Sequence, residues 1–85
     1  MKHSPTDLAA LIAEEQKLAA IEYQTEAWVG GLANGIKPEI LAEAALDTAL
    51  RHLLRNRNEK QALELLSLMR DKVIQGDFID NKSIQ

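Results

Sequence analysis

Residues 5–35 read PTDLAALIAEEQKLAAIEYQTEAWVGGLANG, a stretch rich in alanine and leucine with no proline after its first position. The residues at its start carry a helix N-terminal signal. Ser4 can cap the helix, Pro5 suits the first helical position, and Asp7 completes the spacing of a capping box. The sequence therefore predicts that a helix begins at Pro5.

Two glycines interrupt this helical pattern near its end. A glycine inside a helix costs about 1 kcal/mol relative to alanine, so Gly30 and Gly31 weaken the helix without necessarily ending it. Asn34-Gly35 is a firm stop, because both residues favour the left-handed conformation of a helix C-terminus. We predict a first helix over residues 5–33.

Two shorter helices are predicted after it. Pro38 marks the start of the second helix, over residues 38–56, because proline is favoured at the first helical position. Asn58 can cap a third helix over residues 59–75, and Gly76 stands where a left-handed C-terminal residue belongs.

The composition sets the fold class and the number of domains. The chain has 85 residues with no cysteine, and its 12 alanines and 13 leucines far outnumber its two valines. This balance favours helix over strand and excludes a β-sandwich or a doubly wound sheet. We predict one all-α domain over residues 1–85, with residues 80–85 as a disordered tail.

Short connections make successive helices neighbours, which predicts an antiparallel three-helix bundle. Its first helix is much longer than the other two, and a chain of this size has only a marginal core of its own. We therefore expect homodimerisation to complete the fold.

The first helix carries two separate lines of side chains. At 100° per residue its larger apolar residues form one stripe, predicted to face the core. These residues are Leu11, Leu18, Ile21, Trp28, Val29 and Leu32. Small residues repeat on another side, and we predict that they form a self-association surface: Ala13, Ala20, Ala27 and Gly31. The alternative is that alanine, the best helix former, simply fills a solvated face.

The third helix carries its own predicted core stripe, which Leu63 and Ile74 widen. The stripe consists of Ala62, Leu65, Leu66, Met69 and Val73. Leu68 falls outside it, on an otherwise polar side.

Two further features are candidates for docking another protein. Glu15, Glu22 and Glu26 form an acidic ridge along the first helix, and Leu68 lies between acidic residues on the third. The alternative for both is an ordinary solvated surface, where charged residues and single leucines are common.

A basic segment at the turn between the second and third helices is a candidate contact for phosphate or nucleic acid. It consists of Arg51, Arg55, Arg57 and Lys60. Cations near the C-terminal end of a helix also interact favourably with its dipole, which explains the segment without any ligand. The formal net charge of −3, and Glu64 and Asp71 on the third helix, count against a nucleic-acid-binding role.

The sequence shows no pattern of a catalytic, cofactor-binding or metal-binding site. His52 has no neighbouring group that would orient it as a general base, and we expect it to be partly buried or at an interface. Neither histidine has a glutamate three residues before it, as helical di-metal sites require. An enzyme is therefore not expected, and neither is a cofactor.

The remaining signals concern location and function. No stretch has the roughly 20 apolar residues of a membrane span, and the N-terminus does not resemble a secretory signal, so we expect a cytoplasmic protein with no membrane partner. The predicted function is a self-associating, non-enzymatic interaction module: an adaptor, inhibitor or antitoxin-like regulator that binds itself and another protein. The alternative is a regulator that contacts nucleic acid through the basic turn.

Overall fold

The computed structural model describes residues 5–79, and within them the chain forms three α-helices and no strand. They are α1 (Pro5–Ala33), α2 (Pro38–Leu54) and α3 (Glu59–Ile74). The predicted all-α class is confirmed. The predicted cap at residue 4 and the predicted disordered tail at 80–85 lie outside the described residues.

The end of α1 is fixed by a left-handed glycine, as predicted. Gly35 has φ +82°, and its N–H donates to the carbonyl of Leu32 at 2.9 Å. The N–H of Ile36 donates to the carbonyl of Gly31 at 3.1 Å. This pair of bonds is a Schellman motif, which satisfies the last carbonyls of the helix.

The start of α2 follows the prediction, and its end does not. Pro38 occupies the first helical position, and the carbonyl of Lys37 accepts the N–H of Leu41 at 3.0 Å. The helix ends at Leu54, two residues before the predicted end, where the carbonyl of Leu54 accepts the N–H of Arg57 at 2.9 Å. Arg57 has φ +60°, so the backbone leaves the right-handed helix there.

Asn58 stands at the N-cap of α3, but its side chain makes no capping hydrogen bond, so the predicted side-chain cap is wrong. The physical reason lies in its backbone, with φ −95° and ψ 51°. A capping residue normally has an extended ψ, which aims its side-chain oxygen at the first free N–H groups. The carbonyl of Asn58 still accepts the N–H of Ala62 at 2.9 Å.

The C-terminal end of α3 agrees with the prediction at Gly76, which has φ +75°. Its N–H donates to Val73, and the N–H of Asp77 donates to Lys72 at 3.0 Å, a second Schellman motif. The ammonium of Lys72 lies 5.3 Å from the centre of the Phe78 ring. The segment after Gly76 therefore turns back towards the last turn of α3.

The chain divides into two compact units, Met1–Glu43 and Ala44–Gln85, and the division falls inside α2. The first unit holds α1 and the start of α2, and Leu41 is half-buried there. In the second unit Leu50, Leu53 and Met69 are half-buried, and Ala62, at 3% exposure, is the one buried residue between positions 7 and 79. The antiparallel arrangement of a bundle stays a prediction.

Candidate protein-interaction surfaces

Large apolar side chains are exposed along all three helices. On α1 the stripe predicted to face the core ranges from 36% exposed at Trp28 to 57% at Val29. On α3, Leu63 and Ile74 were expected to widen the core stripe, but they are 65% and 66% exposed. Of the two predicted core stripes, Ala62 on α3 is buried and Met69 is half-buried, and the other members are exposed.

One close contact shows which side of α1 the beginning of α2 covers. A Cβ atom built on Gly31 would lie 2.5 Å from Cδ2 and 2.8 Å from Cδ1 of Leu41. Neighbouring Gly30 has nothing within 4 Å of the same hypothetical atom. Gly31 is therefore small because Leu41 occupies the space beside it, while Gly30 faces open space.

The other members of the predicted self-association line lie on the Gly31 side of α1. At 100° per residue, Ala13, Ala20 and Ala27 fall within about 40° of Gly31 around the helix. All three alanines are exposed. The C-terminal end of this line is thus used for contact within the chain, and the role of its alanines in self-association stays a prediction.

The opposite side of α1 combines apolar and acidic residues, and we call it the distal face. The predicted acidic ridge, Glu15, Glu22 and Glu26, lies about 140–180° from Gly31 around the helix. Three apolar residues lie along one side of the ridge, and Leu8 lies at the same angle as Glu26. All four are 55–57% exposed: Leu8, Leu11, Leu18 and Val29. Within residues 7–79 none of the three ridge glutamates forms an ion pair.

A side of α3 that the sequence interpretation missed has the opposite charge. Lys60, Leu63, Arg70 and Ile74 fall within an arc of about 80°, and we call this arc the cationic face. Among the described residues its one ion pair is loose, with Nη1 of Arg70 3.7 Å from Oδ1 of Asp71, and Glu59 and Asp71 border the arc on its two sides. The signal that could have revealed it was the placement of both cations on the same arc as Leu63 and Ile74.

Leu68 lies on a separate side of α3 and is 52% exposed. At 100° per residue it is about 140° from Leu63, so the two leucines cannot belong to one flat contact. Glu64 and Asp71, both exposed, lie between them on the helix surface. Leu68 remains a candidate anchor for a different partner.

The basic turn is only partly available for a ligand. Nε of Arg51 donates to Oδ2 of Asp47 at 2.7 Å, one helical turn away. This hydrogen bond, together with the charge of the carboxylate, raises the pKa of the Arg51 guanidinium. Arg55, Arg57 and Lys60 have no ion-pair partner among the described residues.

Arg57 adopts a backbone conformation that usually belongs to glycine. Its φ of +60° lies in the left-handed region, which costs roughly 1–2 kcal/mol for a residue with a Cβ atom. Arg57 lies in the turn between α2 and α3.

His52 is exposed within the chain, so the expected partly buried position is wrong, while a position at an interface stays a prediction. Within residues 7–79 no group of three or more histidine and acidic side chains could hold a metal ion. Among the described helices, none is both long and apolar enough to cross a bilayer.

No family model, curated protein or solved structure matches this chain. The surfaces themselves are thus the basis for any proposal about function.

Proposed function

We propose that this chain is a small, non-enzymatic, helical protein–protein interaction module that self-associates and works as an adaptor, inhibitor or antitoxin-like regulator. One observation supports the proposal above all. Leucines, isoleucines and valines are uncovered on all three helices, and Ala62 is the one buried side chain between residues 7 and 79. Large exposed apolar surfaces in small proteins are typical of interaction sites.

The free energy of folding gives the physical reason. Isolated helices are marginal in water, and most helical stability in proteins comes from packing of apolar faces. Burying apolar surface contributes roughly 25 cal/mol per Å² to the free energy of folding or association. The exposed surface of the leucines therefore contributes nothing of this kind in a single chain. Association would supply the missing burial.

The test is the dependence of mass and helicity on concentration. Sedimentation equilibrium between about 1 and 100 µM should show a dimer or larger species, and far-ultraviolet circular dichroism should show helicity that rises with concentration. A strict monomer with constant, full helicity across this range would refute the proposal, because the fold would then be stable with its apolar faces in water.

A second protein partner is part of this proposal. Leu68 is an exposed leucine with Glu64 and Asp71 on one flank, which suits a partner that offers an apolar pocket beside basic groups. A Leu68→Ser variant that still self-associates but no longer retains a protein that the wild type retains would support this role. If the wild type and the Leu68→Ser variant retain that protein equally, Leu68 has no role in binding it.

A second candidate function is contact with nucleic acid through the basic turn. The supporting observation is that Arg55, Arg57 and Lys60 are exposed and have no ion-pair partner among the described residues. Under this alternative, changing Arg55 and Arg57 to glutamate should abolish a mobility shift of DNA or RNA at low ionic strength. If the wild-type chain shifts the mobility of neither DNA nor RNA at low ionic strength, contact with nucleic acid is refuted.

A further inference from the structure

A line of residues at seven-residue spacing runs along α1, and we call it the heptad line. It consists of Leu11, Leu18, Thr25 and Leu32. The three leucines are 42–56% exposed, and Thr25 is exposed as well. Resting on the proposed function as an interaction module, we propose that the heptad line pairs in a coiled coil with a helix of another protein. That helix carries an apolar line flanked by lysine or arginine.

Repetition every seven residues is the pattern by which helices pair over a long distance. A helix in a coiled coil has 3.5 residues per turn, so residues seven apart stay on the side that faces the partner. The residues three and four positions before each member of the line lie about 51° to either side of it. From Leu8 to Leu32 the pattern spans about 36 Å and more than three heptads, which is the length that indicates a coiled coil.

The two flanks of the heptad line change character along the helix. Glu14 lies on one side of the line, and Glu15 and Glu22 lie on the other, one heptad apart. The flanking residues nearer the C-terminal end are apolar and 36–57% exposed: Ile21, Trp28 and Val29. The complementary helix therefore has basic flanks along one half of its apolar line and apolar flanks along the other half.

Charge identifies the occupant as a basic helix rather than a second α1. Within residues 7–79 the flanking glutamates form no ion pair. The single cation in the described length of α1, Lys17, lies about 100° from the neighbouring member of the line. A second α1 laid along the line in either direction would bring no cation to these carboxylates, whereas a helix with basic flanks would pair with them.

The beginning of α2 leaves the heptad line accessible. Leu41 contacts α1 at Gly31, and Gly31 lies about 100–160° from the members of the line. Ala20, in the predicted self-association line, lies on the Gly31 side of the helix. Self-association through the alanines and binding of another helix at the heptad line can therefore occur in the same molecule.

Binding of designed peptides tests this pairing. Each peptide is a helix of roughly four heptads with leucine along one line, lysine flanks along one half and leucine flanks along the other. Two lysine peptides carry the halves in opposite order, so that one fits a parallel contact and the other an antiparallel one. Fluorescence anisotropy of labelled peptide should show binding of at least one of them with a dissociation constant below about 100 µM. Versions with glutamate in place of lysine should bind much more weakly.

An apolar variant locates the contact on α1. Leu18→Ser should weaken binding about 4- to 15-fold, because about half of the Leu18 side chain remains to be buried. The matched control is Leu68→Ser, since Leu68 lies on α3 and is about as exposed as Leu18. The control chain should bind the peptides like the wild type.

A charge variant tests the choice of partner. Glu15→Lys with Glu22→Lys should weaken binding of the lysine peptides at least about fivefold, and the same chain should bind the glutamate versions more tightly than the wild type does. Glu43→Lys with Glu64→Lys carries the same change of charge away from α1 and should bind like the wild type. Circular dichroism checks that each variant keeps its helicity.

The outcomes separate this inference from the proposed self-association. Sedimentation of the wild type alone tests self-association, whatever the peptides do. A wild type that binds neither lysine peptide overturns the inference, and so does equal binding of the lysine and glutamate versions. If a wild-type dimer is split by Leu18→Ser and is unaffected by Ala20→Glu, the heptad line joins two copies of this chain, which also overturns the inference.

Discussion

Gly30 and Gly31 are adjacent residues of α1 with different surroundings, and they allow a test of the contact between α1 and α2. Changing either to alanine gains about 0.8–1 kcal/mol of helix propensity. Gly30→Ala places its methyl group in open space, so we expect it to stabilise the protein by about that amount.

Gly31→Ala receives the same gain in propensity but meets Leu41. The added methyl group would lie 2.5 and 2.8 Å from the two Cδ atoms of Leu41, which must move. Overpacking of this kind typically costs 1–3 kcal/mol, so the net effect should range from nearly zero to about 2 kcal/mol of destabilisation. The difference between the two variants should be roughly 1–3 kcal/mol.

The assay is urea unfolding followed by circular dichroism, with all chains at one protein concentration because association would shift the apparent stability. Thermal unfolding offers a second measure, since 1 kcal/mol corresponds to about 4–8 °C in a domain of this size. Adding Leu41→Ala removes the obstructing atoms, so Gly31→Ala should become stabilising in that background. Equal stabilisation by Gly30→Ala and Gly31→Ala would refute the contact.

Three further predictions concern backbone conformation and charge, and each is measured by urea unfolding. Arg57→Gly should stabilise the protein by about 0.5–1 kcal/mol because glycine adopts φ +60° without strain, whereas Arg55→Gly should not stabilise it; a loss of stability in the first variant would show that the left-handed turn is misplaced. Gly35→Ala and Gly76→Ala should each destabilise by roughly 1–2 kcal/mol, since both glycines have positive φ; a neutral result at either position would contradict its Schellman motif. Asp47→Asn removes the carboxylate that raises the pKa of Arg51, a stabilisation present below the ordinary arginine pKa and lost only in strong alkali. Because both side chains are exposed, we expect its unfolding midpoint at neutral pH to move less than that of Arg57→Gly, and a larger shift would contradict this.

The sequence predicted those features of the fold that depend on short-range chemistry. Pro38 and Gly76 each act through the backbone of their immediate neighbours, and both stand where predicted. The observed pair between Asp47 and Arg51 is equally local, because it depends only on a spacing of four residues within one helix.

Other features depended on conformation or surroundings that residue type does not specify. Arginine rarely adopts a positive φ, so the sequence did not predict the left-handed conformation of Arg57. The predicted end of α2 was therefore two residues too late. The cap expected at Asn58 failed because residue identity does not determine ψ. These deviations cluster in the turn between α2 and α3.

For the candidate surfaces too, the sequence determines the position of a residue around its helix but not which side of the helix is covered. The acidic ridge lies on one side of α1 because its three glutamates belong to one helix at 100° per residue, and its role in docking stays a prediction. Helical periodicity could not say which side another helix covers, and only the contact between Gly31 and Leu41 shows this. For the same reason Leu63 and Ile74 were assigned to a core, and Arg70 was not connected with them.

The exposure of the apolar side chains has a consequence for calorimetry. The heat capacity change of unfolding comes from hydrating apolar surface, and a globular chain of this length is expected to show about 1.0–1.3 kcal/mol/K. Between residues 7 and 79 the exposed large apolar side chains of a single copy keep 36–73% of their surface in water. Its own heat capacity change should therefore be smaller than the ordinary value, and a change of ordinary size would include surface that the copies bury together.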